Sequence, residues 1–141
     1  MTIEAIDWVR SRPQQFFPPG PIAAVQIAAY VMADVMLLGG ESCVVRRFGD
    51  WWIVAGERNW LQHETIDVEA LFRRVVPDPR QGNHSMRSEI IVAAFATQVS
   101  AISDGRVYPV KGLPPSGECV SVASGMAAAI MFSLVEASEQ T

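Results

Sequence analysis

The chain has 141 residues, of which 50% are hydrophobic and 18% charged, so it is a folded chain of single-domain size and not a disordered one. Its net charge of -4 and pI near 5.1 give no basis for nucleic-acid binding.

In chain order, Ile3 to Arg12 carries apolar residues at 3, 6 and 9 together with Trp8, which predicts a short amphipathic helix ending before Pro13. Phe16-Phe17-Pro18-Pro19-Gly20-Pro21 reads as a rigid loop with two aromatic anchors, and Pro21 suits the first turn of a following helix. That helix is expected over Ile22 to Leu38, closed by Gly39-Gly40. The apolar stretch approaches the length of a membrane span, but Gln26 and Asp34 interrupt it, so a buried helix and no membrane association is expected. Gln26, Tyr30 and Asp34 lie four apart and share one stripe of it.

Ser42 to Arg47 and Trp51 to Ala55 read as strands joined by a turn at Phe48-Gly49-Asp50. A loop over Gly56 to Gln62 leads to a short helix at Val68 to Val75, and Asp78 to Asn83 is rich in turn formers. Ser85 to Gln98 reads as a helix. Val99 to Ile102 and Val107 to Val110 form a second hairpin about Asp104-Gly105. Gly112 to Gly117 reads as a loop and Cys119 to Val122 as a strand. Met126 to Val135 stays open between helix, favoured by Ala and Met, and strand, favoured by Ile130 and Phe132. With no repeat or linker, residues 1–141 form one domain, and the element order predicts an α+β fold: a two-layer sandwich with helices on one face of a mostly antiparallel sheet.

Several segments resemble one family. Val9, Arg10, Arg12 and Pro13 followed by Phe16 or Phe17, then the apolar helix, and finally Ile90 to Tyr108 running through an Asp-Gly hairpin, occur in the order seen in gyrase-B-like ATP-binding domains of the GHKL ATPase superfamily. The resemblance covers about residues 4 to 110. It implies the same two-layer fold and an ancestral ATP site, yet the residues that work on ATP in that family are missing. The family's second helix supplies a Glu general base and, four residues later, a magnesium-binding Asn. Here Gln26 and Tyr30 hold that spacing, or Ala28 and Met32 in another register. An amide cannot accept the proton, and a phenol near its usual pKa is a poor magnesium ligand. Ala55 stands near the adenine-reading Asp, and Glu57 and Asn59 near glycines that let the backbone approach the nucleotide. Of the glycine motif in the phosphate lid, Gly82 remains in Gly82-Asn83-His84-Ser85-Met86-Arg87.

What is left suggests two candidate groups. Arg73, Arg74, Arg80 and Arg87 cluster in sequence, and Ser85 is placed to cap the next helix, so an anion site is one reading of them; the other is a solvated basic surface paired with Asp78 and Glu89. Gln26, Tyr30, Asp34, Glu57 and Asn59 are candidates for a residual pocket. His63 and His84 lack metal-ligand spacing, and Cys43 and Cys119 stand outside any CxxC pair, so neither a metal nor a cofactor is expected. The serines have no nucleophile-elbow context, and no catalytic residue is assigned. Strand alternation puts Trp51 and Trp52 on opposite faces, one in the core and the other over the old nucleotide space or on a partner surface. Met1-Thr2-Ile3-Glu4 shows no secretory leader, so a cytoplasmic location is expected. The leading functional expectation is a non-catalytic pseudo-ATPase module acting through an unidentified protein partner or as a homodimer, with the Met126 to Val135 tail, if a strand, offering an open sheet edge. The alternative is a small-ligand, nucleotide or anion binder that uses a residual cavity.

Overall fold

The computed structural model describes residues 4–38, 42–77 and 86–135. Its elements are α1 (Ala5–Arg10), a 3-10 turn (Pro13–Gln15), α2 (Ala24–Leu38), β1 (Cys43–Phe48), β2 (Trp51–Gly56), α3 (Val68–Leu71), α4 (Glu89–Phe95), β3 (Gln98–Ser103), β4 (Arg106–Lys111), α5 (Gly117–Ser121) and β5 (Ala128–Ser133). The fold is α+β. The five strands form one sheet in the order β1-β2-β5-β3-β4, with every neighbouring pair antiparallel.

Both expected hairpins are present. Asp104 and Gly105 take φ of 50° and 78°, the left-handed conformation that the two central residues of a tight type I′ hairpin require. Helix α2 starts two residues later than expected, with Pro21 in the loop before it, and Gln26 Oε1 accepts a hydrogen bond from the Ala23 N–H. Helix α4 is shorter than the Ser85 to Gln98 reading. It begins at Glu89, after Met86 and Arg87 are held in a bridge to Val76 and Pro77, and it stops at Ala96, whose backbone is extended and leads into β3. Helix α3 ends at Leu71, short of Val75.

Two readings of the C-terminal third change. The segment expected as a strand at Cys119 to Val122 belongs to α5 and the turn after it. Ser116 caps that helix by accepting from the Cys119 N–H, and Glu118 sits in its first turn. The undecided tail is strand β5, and it is not an edge. It lies at the centre of the sheet between β2 and β3, all six residues are buried, and Phe132 is fully enclosed. The edges are β1 and β4. Burial on both faces explains the uniform Ala-Ala-Ile-Met-Phe composition, which has no period to read.

The larger core lies on the face covered by α1, α2 and α4, where Ile27, Val31, Val35, Val54, Ile130 and Phe132 meet. A smaller cluster on the opposite face joins Ile53, Ala55, Ala129 and Met131 to Cys119 and Ala123 of the α5 segment. At about 1.5–3 kcal/mol per fully buried aliphatic side chain, the first cluster dominates the folding energy. Trp51 and Trp52 do face opposite ways: Trp52 packs on the larger core and Trp51 on the smaller, both half-buried. Among the described residues no helix is long and apolar enough to cross a membrane.

Candidate functional site

The α2 stripe is bonded inward at each of its three positions. Gln26 caps its own helix. The Tyr30 hydroxyl donates to the Phe16 carbonyl, and its ring meets Phe17 edge-on at 5.6 Å. Burial pushes the Tyr30 phenol above its ordinary pKa. Asp34 is 1% exposed, and its Oδ2 accepts from both the N–H and the hydroxyl of Ser88 at 2.7 Å. In the other register, Ala28 is buried and Met32 half-buried against the core.

Asp34 is the near end of a buried charged group. Beyond Ser88, Arg87 forms an ion pair with Glu89, through Nε to Oε1 at 3.3 Å and Nη2 to Oε2 at 2.5 Å, and Nη2 also donates to the Trp60 carbonyl at 2.7 Å. Glu89 has no solvent exposure and Arg87 has 7%. Burial pushes the Glu89 carboxyl above the usual range; the Arg87 guanidinium opposes this and the neighbouring Asp34 adds to it. Glu89, read from sequence as a surface acid, is therefore an interior one. Tyr30, Asp34, Ser88, Phe16, Met86 and Ile91 border a small crevice of about 170 Å³ beside this group.

The space between α2 and the sheet is filled. A Cβ built on Gly56 would stand 3.0 Å from Val35 Cγ1 and 3.3 Å from the Trp60 ring, so helix and strand touch at the one residue that has no side chain. Val31, Val35, Val54, Trp60 and Leu61 close the rest, none more than 3% exposed.

The other candidates are scattered. Glu57 is exposed. Asn59 donates from Nδ2 to the Ser103 hydroxyl at 2.7 Å and accepts from the Leu61 N–H, which pins the loop after β2 to β3. Arg73 and Arg74 are exposed, whereas Arg87 is internal, so Arg87 does not join the other two at the surface; Arg80, Ser85 and the Gly82 motif lie outside the described residues. Arg73 does border a cleft of about 500 Å³ with His63, Asp67, Glu69, Arg106 and Tyr108. His63 Nδ1 accepts from the N–H groups of Thr65 and Ile66, which leaves the proton of the neutral ring on Nε2. This cleft mixes both signs of charge and therefore selects neither strongly.

Sequence reasoning passed over three features. Ser88 and Glu89 form the buried network with Asp34, and Trp60 is the side chain that fills the space under α2. A cleft of about 520 Å³ also opens at the other end of the sheet, beside Trp51, Trp52 and Ser133. Its only sequence signal was the Trp-Trp pair. Among the described residues no three His, Cys, Asp or Glu side chains are grouped to hold a metal. Cys43 and Cys119 are free thiols, and burial pushes both above their ordinary pKa. Comparisons with models of known families, with curated proteins and with solved structures return no match.

Proposed function

We propose that the chain is a GHKL-like domain without nucleotide chemistry that works as a protein-interaction module, with its partner adding a strand along β1. One observation carries the first half: α2 rests directly on Gly56, with Val35 and Trp60 where a nucleotide would need room. The same packing favours this reading over the ligand-binding alternative, as does the pairing of Arg87 with Glu89 inside the protein.

The choice of β1 follows from comparing the two edges. β4 carries Pro109, which has no N–H to offer, and the register of its pairing with β3 shifts between Val99 and Ser100; both features discourage strand addition. β1 pairs with β2 in unbroken register from Cys43 to Phe48 and contains no proline. Its two arginines fold back over the sheet, Arg46 to the Val122 carbonyl at 2.7 Å and Arg47 over the Trp52 ring at 4.3 Å. A second copy is the simplest partner, because two β1 strands pair antiparallel about a two-fold axis.

Light scattering at tens of micromolar protein tests this. A mass near twice 15.4 kDa is expected, falling to the single-chain value in Val44→Pro. A single-chain mass in the parent protein rejects self-pairing. Calorimetric binding of magnesium ATP at micromolar affinity would reject the reading as a whole.

A further inference from the structure

The cleft beside Trp51 lies at the opposite end of α2 and β2 from the Gly56 contact and shares no lining residue with the cleft beside Arg73. Its floor is one row of side chains across four strands. Phe48 pairs with Trp51, the Trp52–Phe132 pair sets Trp51 beside Ser133, and Ser133 pairs with Gln98. Strand alternation puts these four on the α5 face, where the Pro114-Pro115-Ser116 segment walls them in; the cleft continues round the end of the sheet to Ala23 to Val25 at the start of α2, with Arg47 and Asp50 on its rim.

Ser133 is the informative member. It is 4% exposed, and its hydroxyl has no hydrogen-bond partner among the described residues. Leaving a buried hydroxyl unpaired is unfavourable, and alanine would fill the same space without that penalty. Next to it stands the Gln98 side chain, which carries both a donor and an acceptor. The chain passes closely over Gln98 because position 112 is glycine: its φ is 68°, and a Cβ there would stand 2.9 Å from Gln98 Cγ. Trp51 adds a half-buried aromatic surface, and Pro114 and Pro115 add a rigid wall. A flat surface beside one unpaired hydroxyl and one amide is complementary to a flat ring with polar atoms on one edge.

We propose that this cleft binds a planar nitrogen heterocycle, with its ring against Trp51 and its donor–acceptor edge on Ser133 and Gln98. The site is separate from the space beneath α2 at Gly56, and it adjoins the end of β1 at Arg47 and Phe48.

The test titrates the full chain with nicotinamide and with uracil, followed by ligand-observed NMR, with cyclohexanecarboxamide as the non-planar control. Saturable binding of at least one planar probe and none of the control is expected. Ser133→Ala should weaken that binding by roughly threefold to tenfold, the loss of one hydrogen bond, while raising the Tm of the free protein. Those opposite signs separate a ligand contact from a folding role. Trp51→Leu, checked for native circular dichroism, should abolish binding. The proposal is overturned if neither planar probe binds, if the saturated control binds equally, if Ser133→Ala leaves the affinity unchanged, or if it lowers Tm.

Discussion

Replacing Arg87 by Met tests the buried charged group most directly. The substitution keeps much of the apolar stem and removes the guanidinium that pairs with Glu89 and donates to the Trp60 carbonyl. Breaking one side of a buried ion pair costs about 3–5 kcal/mol, a large share of the 5–15 kcal/mol that holds a domain of this kind together. The loss depends on pH in a defined direction. In the parent chain burial already holds the Glu89 carboxyl above its ordinary value of 4.5, so the folded state binds that proton more tightly than the unfolded chain. The stability this contributes is complete below that ordinary value and is lost as pH rises through the raised one. Without Arg87 the opposing attraction is gone, the folded pKa rises further, and the window widens upward. The penalty of Arg87→Met should therefore grow with pH, by up to about 1.4 kcal/mol per unit inside the widened window. Toward acid it should shrink to that of the lost hydrogen bonds, about 1–3 kcal/mol. Urea unfolding of both proteins from about pH 5 to about pH 8 measures this. A penalty constant across that range refutes the reasoning, as does a Glu89→Gln protein that keeps the parent's pH slope.

Three further outcomes follow from the same geometry. Asp34→Asn removes the charge that accepts both Ser88 bonds and should lower the unfolding free energy by about 1.5–3 kcal/mol in denaturant titration, with Ser88→Ala costing less. Gly56→Ala places a methyl 3.0 Å from Val35 and should destabilise by about 1–3 kcal/mol; combining it with Val35→Ala should cost less than the two single changes added together. Lys111→Met should lower Tm, because its ammonium donates to the Ala93 and Ala96 carbonyls at the end of α4, with a thermal-melt loss of about 1 kcal/mol.

What the sequence reveals here is local, and what it hides is set by distance. The Gly49-Asp50 and Asp104-Gly105 hairpins are legible because a turn needs particular backbone angles within a few residues. The α2 helix is legible from its length and from the polar residues along one stripe. Asp34, by contrast, finds Ser88 at a separation of 54 residues, and no periodicity foretells that contact. Glu89 resembles any surface acid at the start of a helix until the fold encloses it. The placement of β5 fails for the same reason: nothing within a uniformly apolar strand says which neighbours it will take. For α5 the signal is local, since Ser116 and Glu118 about Cys119 form a readable helix start that the β-branched valines obscure.

Most buried polar side chains of this fold are already bonded within the chain, and that confines where a ligand can gain from binding. Along α2, Gln26, Tyr30 and Asp34 are each bonded within the chain, to the helix's own start, to the Phe16 loop and to the segment entering α4. A ligand at that stripe would have to break those bonds, and at Asp34 it would also disturb the Arg87–Glu89 pair beside it. Buried side-chain atoms without partners among the described residues are Trp60 Nε1, Ser100 Oγ and Ser133 Oγ. Trp60 and Ser100 lie inside the packed protein, at 3% and 0% exposure, whereas Ser133 borders the cleft at the Trp51 end of the sheet. A ligand that reached the Ser133 hydroxyl would pair a group that has no partner among the described residues, which is the thermodynamic reason to look for a small ligand at Ser133 and not at the stripe the family resemblance suggests.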